Sequence, residues 1–230
     1  MFEDSPFDVA RFSGRARLFP LPNLVLFPHV MQPMHLFEPR YVALLEEAIS
    51  GDGLIAMAVL APGWERDYEG RPPLEAAACL CRVLTYHKTE QGTYNVLLVG
   101  VRRIAIEQEL PPDKAFREAR VRVLDDDYPQ GLAPYRIELQ ERLLTAFKTL
   151  LPKIVDAHEQ LDQLLGRDIS LGMLTDIVSY TLDMEFPLKL RLLGEAVVDR
   201  RAEYLCEHFD KLTVGELSVE KDFPPRFSSN

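Results

Sequence analysis

The chain has 230 residues, of which 47% are hydrophobic and 27% charged, a balance typical of folded globular proteins and not of disordered ones. Its formal net charge of −10 argues against binding to a nucleic-acid backbone, which is normally met by clustered Lys and Arg. Three cysteines give no even disulfide framework, and residues 1–17 contain no apolar run of signal-peptide length. No segment approaches the ~18 consecutive apolar residues of a membrane span. We therefore expect a cytoplasmic protein with no nucleic-acid or membrane partner.

The first predicted helix begins at Pro39. Apolar residues after it recur at helical spacing, namely Tyr41, Leu44, Leu45, Ala48 and Ile49. Proline suits the first turn of a helix because its missing N–H has no partner there in any case. Glu38 and Arg40 flank this start, and we expect them to form an end cap and an ion pair.

Short strands are predicted on both sides of a polar loop. Residues 54–59 form an apolar run too short for a helix, and the runs at 75–84, 94–99, 102–107 and 116–124 follow at strand-like spacing. Gly92 is free to take a positive φ in a hairpin turn between two of them. Cys79 and Cys81 point to one face of their strand as small buried hydrophobes. This pattern predicts an antiparallel β-barrel with one packed helix.

The carboxy-terminal half predicts helices. Three carboxylates at residues 125–127 are typical of a linker, and an apolar stripe follows at Leu132, Tyr135, Leu139, Leu143, Phe147 and Leu150. Further helices are expected after a cap at Asp168 or Ser170, from Pro187 to Gly194, and after a cap at Asp199. We therefore predict an α+β chain, with a barrel at residues 15–125 and a helical bundle at 130–212.

Two separated blocks in the barrel half carry a more specific signal. Residues 18–55 read LFPLPNLVLFPHVMQPMHLFEPRYVALLEEAISGDGLI, and residues 97–104 read LLVGVRRI. In this order they resemble the amino-terminal substrate-binding domain of Lon-type ATP-dependent proteases. The resemblance implies a PUA-like barrel followed by helices, and a role in recognising polypeptide substrates.

Common motifs for ATP binding, nucleophilic catalysis and zinc binding are not found in this sequence. No Gly-x-x-x-x-Gly-Lys-Ser/Thr loop occurs between residues 1 and 230, and no serine lies in a Gly-x-Ser-x-Gly turn. The five histidines fall on different predicted elements, and His158-Glu159 starts like a zinc helix but lacks a second histidine. We expect no catalytic residue, metal or cofactor.

The candidate binding residues are Met31, Phe37, Trp64, Tyr68 and Arg71. The last three lie in a polar loop at residues 61–73 and are of the types enriched at binding hot spots. Flexible methionines suit a surface that accepts varied apolar sequences. The alternative for Trp64 is that it folds back over the barrel end, and the alternative for Arg71 is an ion pair with Glu69 or Glu75. The residues around Met31 and Phe37 could instead belong to the barrel core, which we favour for Met34 and Leu36.

Three hypotheses about function remain. The leading one is a non-catalytic, ATP-independent module that binds unfolded or partly folded polypeptide or a dedicated protein partner, as an adaptor or holdase. The second is a PUA-like binder of a small molecule or an RNA base. The third is an enzyme whose catalytic residues are scattered along the sequence.

Overall fold

The computed structural model describes residues 7–68, 70–150 and 169–214. These residues form two compact units. Of the described residues, the first unit contains 7–68, 70–125 and 184–194, and the second contains 126–150, 169–183 and 195–214. The short segment at 184–194, which the sequence-based boundary placed with the helices, thus belongs to the barrel unit.

The first unit is built on a sheet whose strands, in the described residues, are β1 (Arg15–Leu21), β2 (Met31–Leu36), β3 (Leu54–Val59), β4 (Ala77–Lys88), β5 (Tyr94–Glu109) and β6 (Arg117–Leu124). Hydrogen-bonded neighbours follow the order β2-β5-β4-β3-β1-β6, and β6 also pairs with β5. Strands β5, β4, β3, β1 and β6 therefore close into a ring, and β2 lies outside it against β5. The predicted α+β class is confirmed.

One pair of strands in this ring runs parallel. β1 and β3 pair in parallel from Leu18 opposite Ala56 to Leu21 opposite Val59, whereas the other pairs are antiparallel. A parallel pair needs a long crossover connection. Here the crossover contains β2 and helix α1 (Pro39–Ser50), so the sheet is mixed and not antiparallel throughout as the sequence pattern had indicated.

The interior of the ring is narrow and filled by small and branched side chains. Its core is made of Ala16, Leu18, Leu54, Ala56, Ala58, Ala78, Leu80, Ile104, Ala119 and Val121. Helix α1 begins at Pro39, as predicted, and buries Tyr41, Leu44, Leu45 and Ala48. Tyr41 fixes the helix on β1, because its hydroxyl donates a hydrogen bond to the Pro20 carbonyl at 3.2 Å and its ring lies 4.3 Å from that of Phe19.

Strand β5 is one continuous strand where the sequence predicted two. A register shift in its pairing with β4 separates Gly100, opposite Cys81, from Arg102, opposite Leu80. Gly100 is required there because a Cβ would collide with the carbonyl oxygen of Phe27. The first part of β5, from Tyr94 to Val99, pairs with β2, and the part from Arg103 onward pairs with β6.

The helices of the described residues are α1, α2 (Ala133–Leu150), α3 (Leu171–Thr181), α4 (Phe186–Gly194) and α5 (Val198–Val214). Helix α4 packs on β4 and β5, while α2, α3 and α5 pack together in the second unit. The predictions made for Pro152, His158 and Asp168 lie outside the described residues. None of the described helices is long and apolar enough to cross a membrane.

Buried polar contacts hold the second unit together. Ser170 caps α3 as predicted, its Oγ accepting from the Met173 amide at 3.2 Å. Arg201 is fully buried and donates to Asp126 Oδ1 at 2.7 Å and to Thr175 Oγ1 at 3.1 Å. Asp199, expected as a cap, lies inside the first turn of α5 and pairs with Arg136 at 2.7 Å.

Candidate functional site

The clearest candidate site is an apolar sheet face that the ring leaves open. Where β5 pairs with β2, its side chains alternate between buried Val96 and Leu98 and half-buried Leu97 and Val99. The buried side continues into β2 as Met34 and Leu36, so the prediction of core positions for these two residues is confirmed. On the alternate side, Pro33, Leu97 and Val99 each keep part of their surface exposed.

Cross-strand pairing brings the residues of the open side together. Met31 lies opposite Val99 and Pro33 opposite Leu97. Residues directly opposite each other on antiparallel strands have Cβ atoms about 5 Å apart on the same face. Met31 is 57% exposed, a large fraction for an apolar side chain on a strand.

Phe37 extends this surface beyond the end of β2. It is 45% exposed, and its ring stacks on that of His35 with 6.1 Å between centroids. His35 is in turn held in place, because its Nδ1 lies 2.8 Å from Asn95 Oδ1 on β5. We call the surface made by Met31, Pro33, Phe37, Leu97 and Val99 the apolar face.

The register shift in β5 makes the apolar face continuous with the barrel interior. Val99 lies opposite Arg82, which lies opposite the core residue Leu54. Residues directly opposite each other have their side chains on the same side of a sheet, so the apolar face lies on the side that faces the barrel interior elsewhere. This side is exposed here because β6 pairs only with the later part of β5.

Trp64 and Tyr68 form an aromatic pair that is tied to the start of α1. Trp64 lies in a 3-10 turn and is half-buried, and its ring meets that of Tyr68 edge-on with 5.7 Å between centroids. The Tyr68 hydroxyl donates to Glu38 Oε1 at 3.1 Å. Burial, reinforced by the Glu38 carboxylate, raises the pKa of Tyr68 above its ordinary value.

Arg40 completes this cluster. Its guanidinium lies 4.9 Å from the Tyr68 ring centroid and 2.7 Å from Glu38 Oε2, so the predicted ion pair at the helix start is confirmed. The Glu38 side chain makes no capping hydrogen bond, so the expected end cap is absent. Because Phe37 precedes Glu38 directly, the cluster adjoins the Phe37 end of the apolar face.

Arg71 lies elsewhere. Its Nη2 donates to Glu109 Oε2 at 3.0 Å and to the Leu110 carbonyl at 3.2 Å, at the far end of β5. Val99 and Glu109 are separated by about 30 Å of strand at 3.3 Å per residue. The structure therefore places Met31 and Phe37 at opposite ends of β2, about 20 Å of strand apart. It ties Trp64 and Tyr68 to Glu38, the residue after Phe37, and leaves Arg71 apart.

The second unit has a different kind of concave surface. A shallow groove of about 470 Å³ lies between α2 and α5, lined by Glu138, Glu141, Arg142, Thr145, Ala146, Phe209 and Asp210. Arg142 and Asp210 form an ion pair there at 2.6 Å. Four of these seven lining residues are charged, although most of the exposed lining is apolar.

In residues 7–68, 70–150 and 169–214, no three His, Cys, Asp or Glu side chains lie close enough together to hold a metal ion. Cys79 and Cys81 are fully buried, as the sequence predicted. Their location inside the protein suits packing and not nucleophilic attack.

A comparison with protein families gives one match over most of the chain. The family model described as "ATP-dependent protease La (LON) substrate-binding domain" matches residues 15–211. Among curated proteins, the Lon protease of Cytophaga hutchinsonii is 23% identical over 213 residues, covering 91% of this chain and 26% of that protein. The Lon protease of Xanthomonas oryzae pv. oryzae is 25% identical over 209 residues, covering 89% and 23%. The chain thus spans about a quarter of the length of these relatives.

Solved structures show the same fold. A Lon N-terminal domain protein from Xanthomonas campestris superposes with a TM-score of 0.62 at 20% identity, covering 84% of this chain and 97% of that one. The N-terminal domain of the Mycobacterium avium complex Lon protease gives a TM-score of 0.63 at 16% identity, covering 86% and 99%.

Proposed function

The chain belongs to the family of the Lon protease substrate-binding domain, and from this premise we propose that it is a non-catalytic module that binds unfolded or partly folded polypeptide on the apolar face. The family supports a substrate-binding role. The proposal goes further for this chain: the binding surface is the apolar face, binding needs no ATP, and the chain acts as an adaptor or holdase in the cytoplasm.

One observation carries the location. Met31 is a large apolar side chain left 57% exposed on the hydrogen-bonded sheet, and Phe37, just beyond the end of β2, is 45% exposed. Contiguous apolar surface of this kind marks interaction sites in folded proteins. Methionine adapts to varied neighbours at low cost, which suits a surface that meets many different sequences.

The mechanism is reversible burial of apolar side chains. A bound segment removes apolar area from water on both partners, at about 25 cal/mol per Å². Ordering a flexible chain opposes this gain, so we expect affinity in the micromolar range. Trp64 and Tyr68 contribute at the rim beside Phe37, and Arg71 takes no part.

The test is a titration of a labelled, permanently unfolded polypeptide with the wild-type chain and with Met31→Ser/Phe37→Ser, followed by fluorescence anisotropy without nucleotide. We expect micromolar binding by the wild type and at least about tenfold weaker binding by the variant, because about two buried apolar side chains are lost. The thermal midpoint should change little, since both side chains are largely exposed.

The matched control is Val9→Ser, which removes a side chain that is 39% exposed and lies outside the apolar face. It should bind as the wild type does. Equal affinity of Met31→Ser/Phe37→Ser and the wild type would contradict the proposed location, and preferential binding of a single-stranded RNA probe would contradict the proposed ligand class.

A further inference from the structure

The segment before β1 lies at the end of the ring that adjoins the apolar face. We call residues 7–13 the arm; the next residue, Gly14, accepts a hydrogen bond at its carbonyl from the Val121 amide of β6 at 2.8 Å. β6 ends at Leu124, opposite Arg103 of β5. The arm therefore joins the ring at the end where β5 changes its partner from β6 to β2.

Two phenylalanines attach the arm to the barrel. Phe7 and Phe12 are half-buried and pack against the core of the ring, with 5.7 Å between their ring centroids. The guanidinium of Arg102 lies 5.6 Å from the centroid of the Phe7 ring. The residues at 8–11, between the two phenylalanines, are exposed. The arm thus contacts the barrel mainly through two aromatic side chains.

Phe7 lies on the same side of the sheet as the apolar face. Arg102, against which Phe7 packs, is directly opposite the core residue Leu80, so its side chain lies on the side that faces the barrel interior. The apolar face lies on this side too. Arg102 follows Val99 by three residues of β5, about 10 Å of strand. The arm therefore bounds the apolar face at its Val99 end.

The arm is weakly attached compared with the strands around it. Within the described part of the chain, residues 8–12 form backbone hydrogen bonds with one another, such as that from the Phe12 amide to the Val9 carbonyl at 3.2 Å, and not with the barrel. Segments with few buried contacts open locally at a much lower cost than the whole fold. Gly14 joins the arm to β1 with a φ of 72°, which glycine adopts without strain. The arm can therefore leave the barrel while β1 stays paired.

We propose that the arm is an autoinhibitory cover: it closes the Val99 end of the apolar face, and a bound polypeptide displaces it. This inference rests on the proposed function. Release of Phe7 and Phe12 uncovers apolar surface at the end of the ring, where Val101 and Val123 are only partly buried even with the arm in place. A polypeptide segment then extends from the apolar face onto this surface. Its apparent affinity is lowered in proportion to the fraction of molecules whose arm is open.

The first test compares the wild-type chain with Phe7→Ser/Phe12→Ser in binding a labelled, permanently unfolded polypeptide, followed by fluorescence anisotropy without nucleotide. The variant keeps the arm and removes both of its anchors. It should bind about tenfold more tightly than the wild type, because the closed arm no longer competes. Circular dichroism at the same temperature verifies that the variant is folded.

Val9→Ser is the matched control for this comparison. It changes a side chain of the same arm that is 39% exposed and anchors nothing to the barrel, so its affinity should equal that of the wild type. Tighter binding by Val9→Ser as well would assign the effect to the added polarity of the arm and overturn the inference.

A second measurement uses the wild-type chain alone and decides the question even where the variant fails to fold. The amide signals of Val9, Ala10 and Arg11 are followed by NMR as the polypeptide is added to the isotope-labelled chain. Displacement should move them toward their positions in a free peptide of residues 7–14, FDVARFSG, in proportion to the bound fraction.

The inference and the proposed function fail in different ways. Equal or weaker binding by Phe7→Ser/Phe12→Ser, or arm amides that keep their wild-type positions at saturation, would overturn the inference and leave the proposed function standing. Binding by the variant alone would support both, because the closed arm would then block the site. Absence of binding by the wild type and the variant would overturn the proposed function, and the inference with it.

Discussion

Leu97 and Leu98 are consecutive residues of β5 with opposite surroundings. Leu98 is 1% exposed and lies on the side of the sheet that is buried, whereas Leu97 is half-buried on the apolar face. Strand alternation sends successive side chains to opposite faces whatever the residue type. The contrast teaches that residue chemistry does not decide which leucine is buried in the core and which stays partly exposed; the elements packed over each face do.

The elements that pack against β5 also differ between its two ends. In the later part of β5, Ile104 is fully buried inside the ring that β6 closes. In the earlier part, β5 pairs with β2, and the corresponding face stays open. One strand thus contributes to the closed barrel at one end and to the apolar face at the other.

The largest effect should come from the covered side. Leu98→Ala is expected to lower the free energy of unfolding by about 2–5 kcal/mol, because it removes a fully buried side chain and leaves a cavity. Urea unfolding followed by circular dichroism measures this loss. A loss below about 1 kcal/mol would mean that this side of β5 is not part of the core.

The partner substitution on the open side should affect binding and not folding. Leu97→Ala is expected to weaken binding of an unfolded polypeptide by about five- to tenfold, while lowering the free energy of unfolding by less than about 1 kcal/mol. Anisotropy and urea unfolding on the same preparation give both numbers. If Leu97→Ala and Leu98→Ala behaved alike, the contrast between the two faces would be lost.

Acid should weaken the barrel unit through its ion pairs. Glu118 accepts from Arg15 at 2.6 Å and from Lys114 at 3.3 Å. Burial alone would raise the pKa of Glu118, but the hydrogen bonds from Arg15 and Lys114 outweigh it and lower the pKa below the ordinary value of 4.5. A lowered folded-state pKa contributes stability that is present above pH 4.5 and is lost as the pH falls through the folded-state value.

Glu118→Gln should therefore be less stable than the wild type by up to about 1 kcal/mol at pH 7, and the difference should shrink below pH 4.5. Thermal midpoints measured from pH 7 to pH 3 provide the comparison. Leu97→Ala serves as the control, because its offset from the wild type should stay constant with pH. A constant offset for Glu118→Gln would show that the pair does not stabilise the fold.

The smallest effects are expected away from the apolar face. Trp64→Ala should weaken polypeptide binding by no more than about threefold, since Trp64 is half-buried against Tyr68 and lies at the rim. Arg71→Ala should leave the affinity unchanged, because Arg71 binds Glu109 at the far end of β5. A loss of tenfold or more in either variant would move the binding surface to the loop at residues 61–73.

The sequence predicted local elements well where the signal is local. Proline at the start of α1, Ser170 as the cap of α3, and Pro187 and Gly194 in α4 all act through neighbouring residues, so no knowledge of the rest of the fold was needed. The family resemblance added the order of barrel and helices, which local patterns alone leave open.

The sequence could not reveal contacts between distant residues. Leu97, Val99 and Pro33 were missed as surface residues, because alternation defines two faces of a strand without saying which one is covered. Arg71 was a candidate binding residue whose alternative was an ion pair with Glu69 or Glu75, yet its partner is Glu109, far away in sequence. Gly100 looked like a break between two strands, whereas a change of pairing partner and the close approach of Phe27 explain it.

The most direct measurement is an amide chemical-shift map of the isotope-labelled chain as an unfolded polypeptide is added. The account predicts that the largest shifts occur at Met31, His35, Phe37, Leu97 and Val99, with little change along α2, α3 and α5. Shifts concentrated instead in the groove between α2 and α5, or in the loop at residues 61–73, would contradict the claim that the open face of β5 and β2 binds substrate.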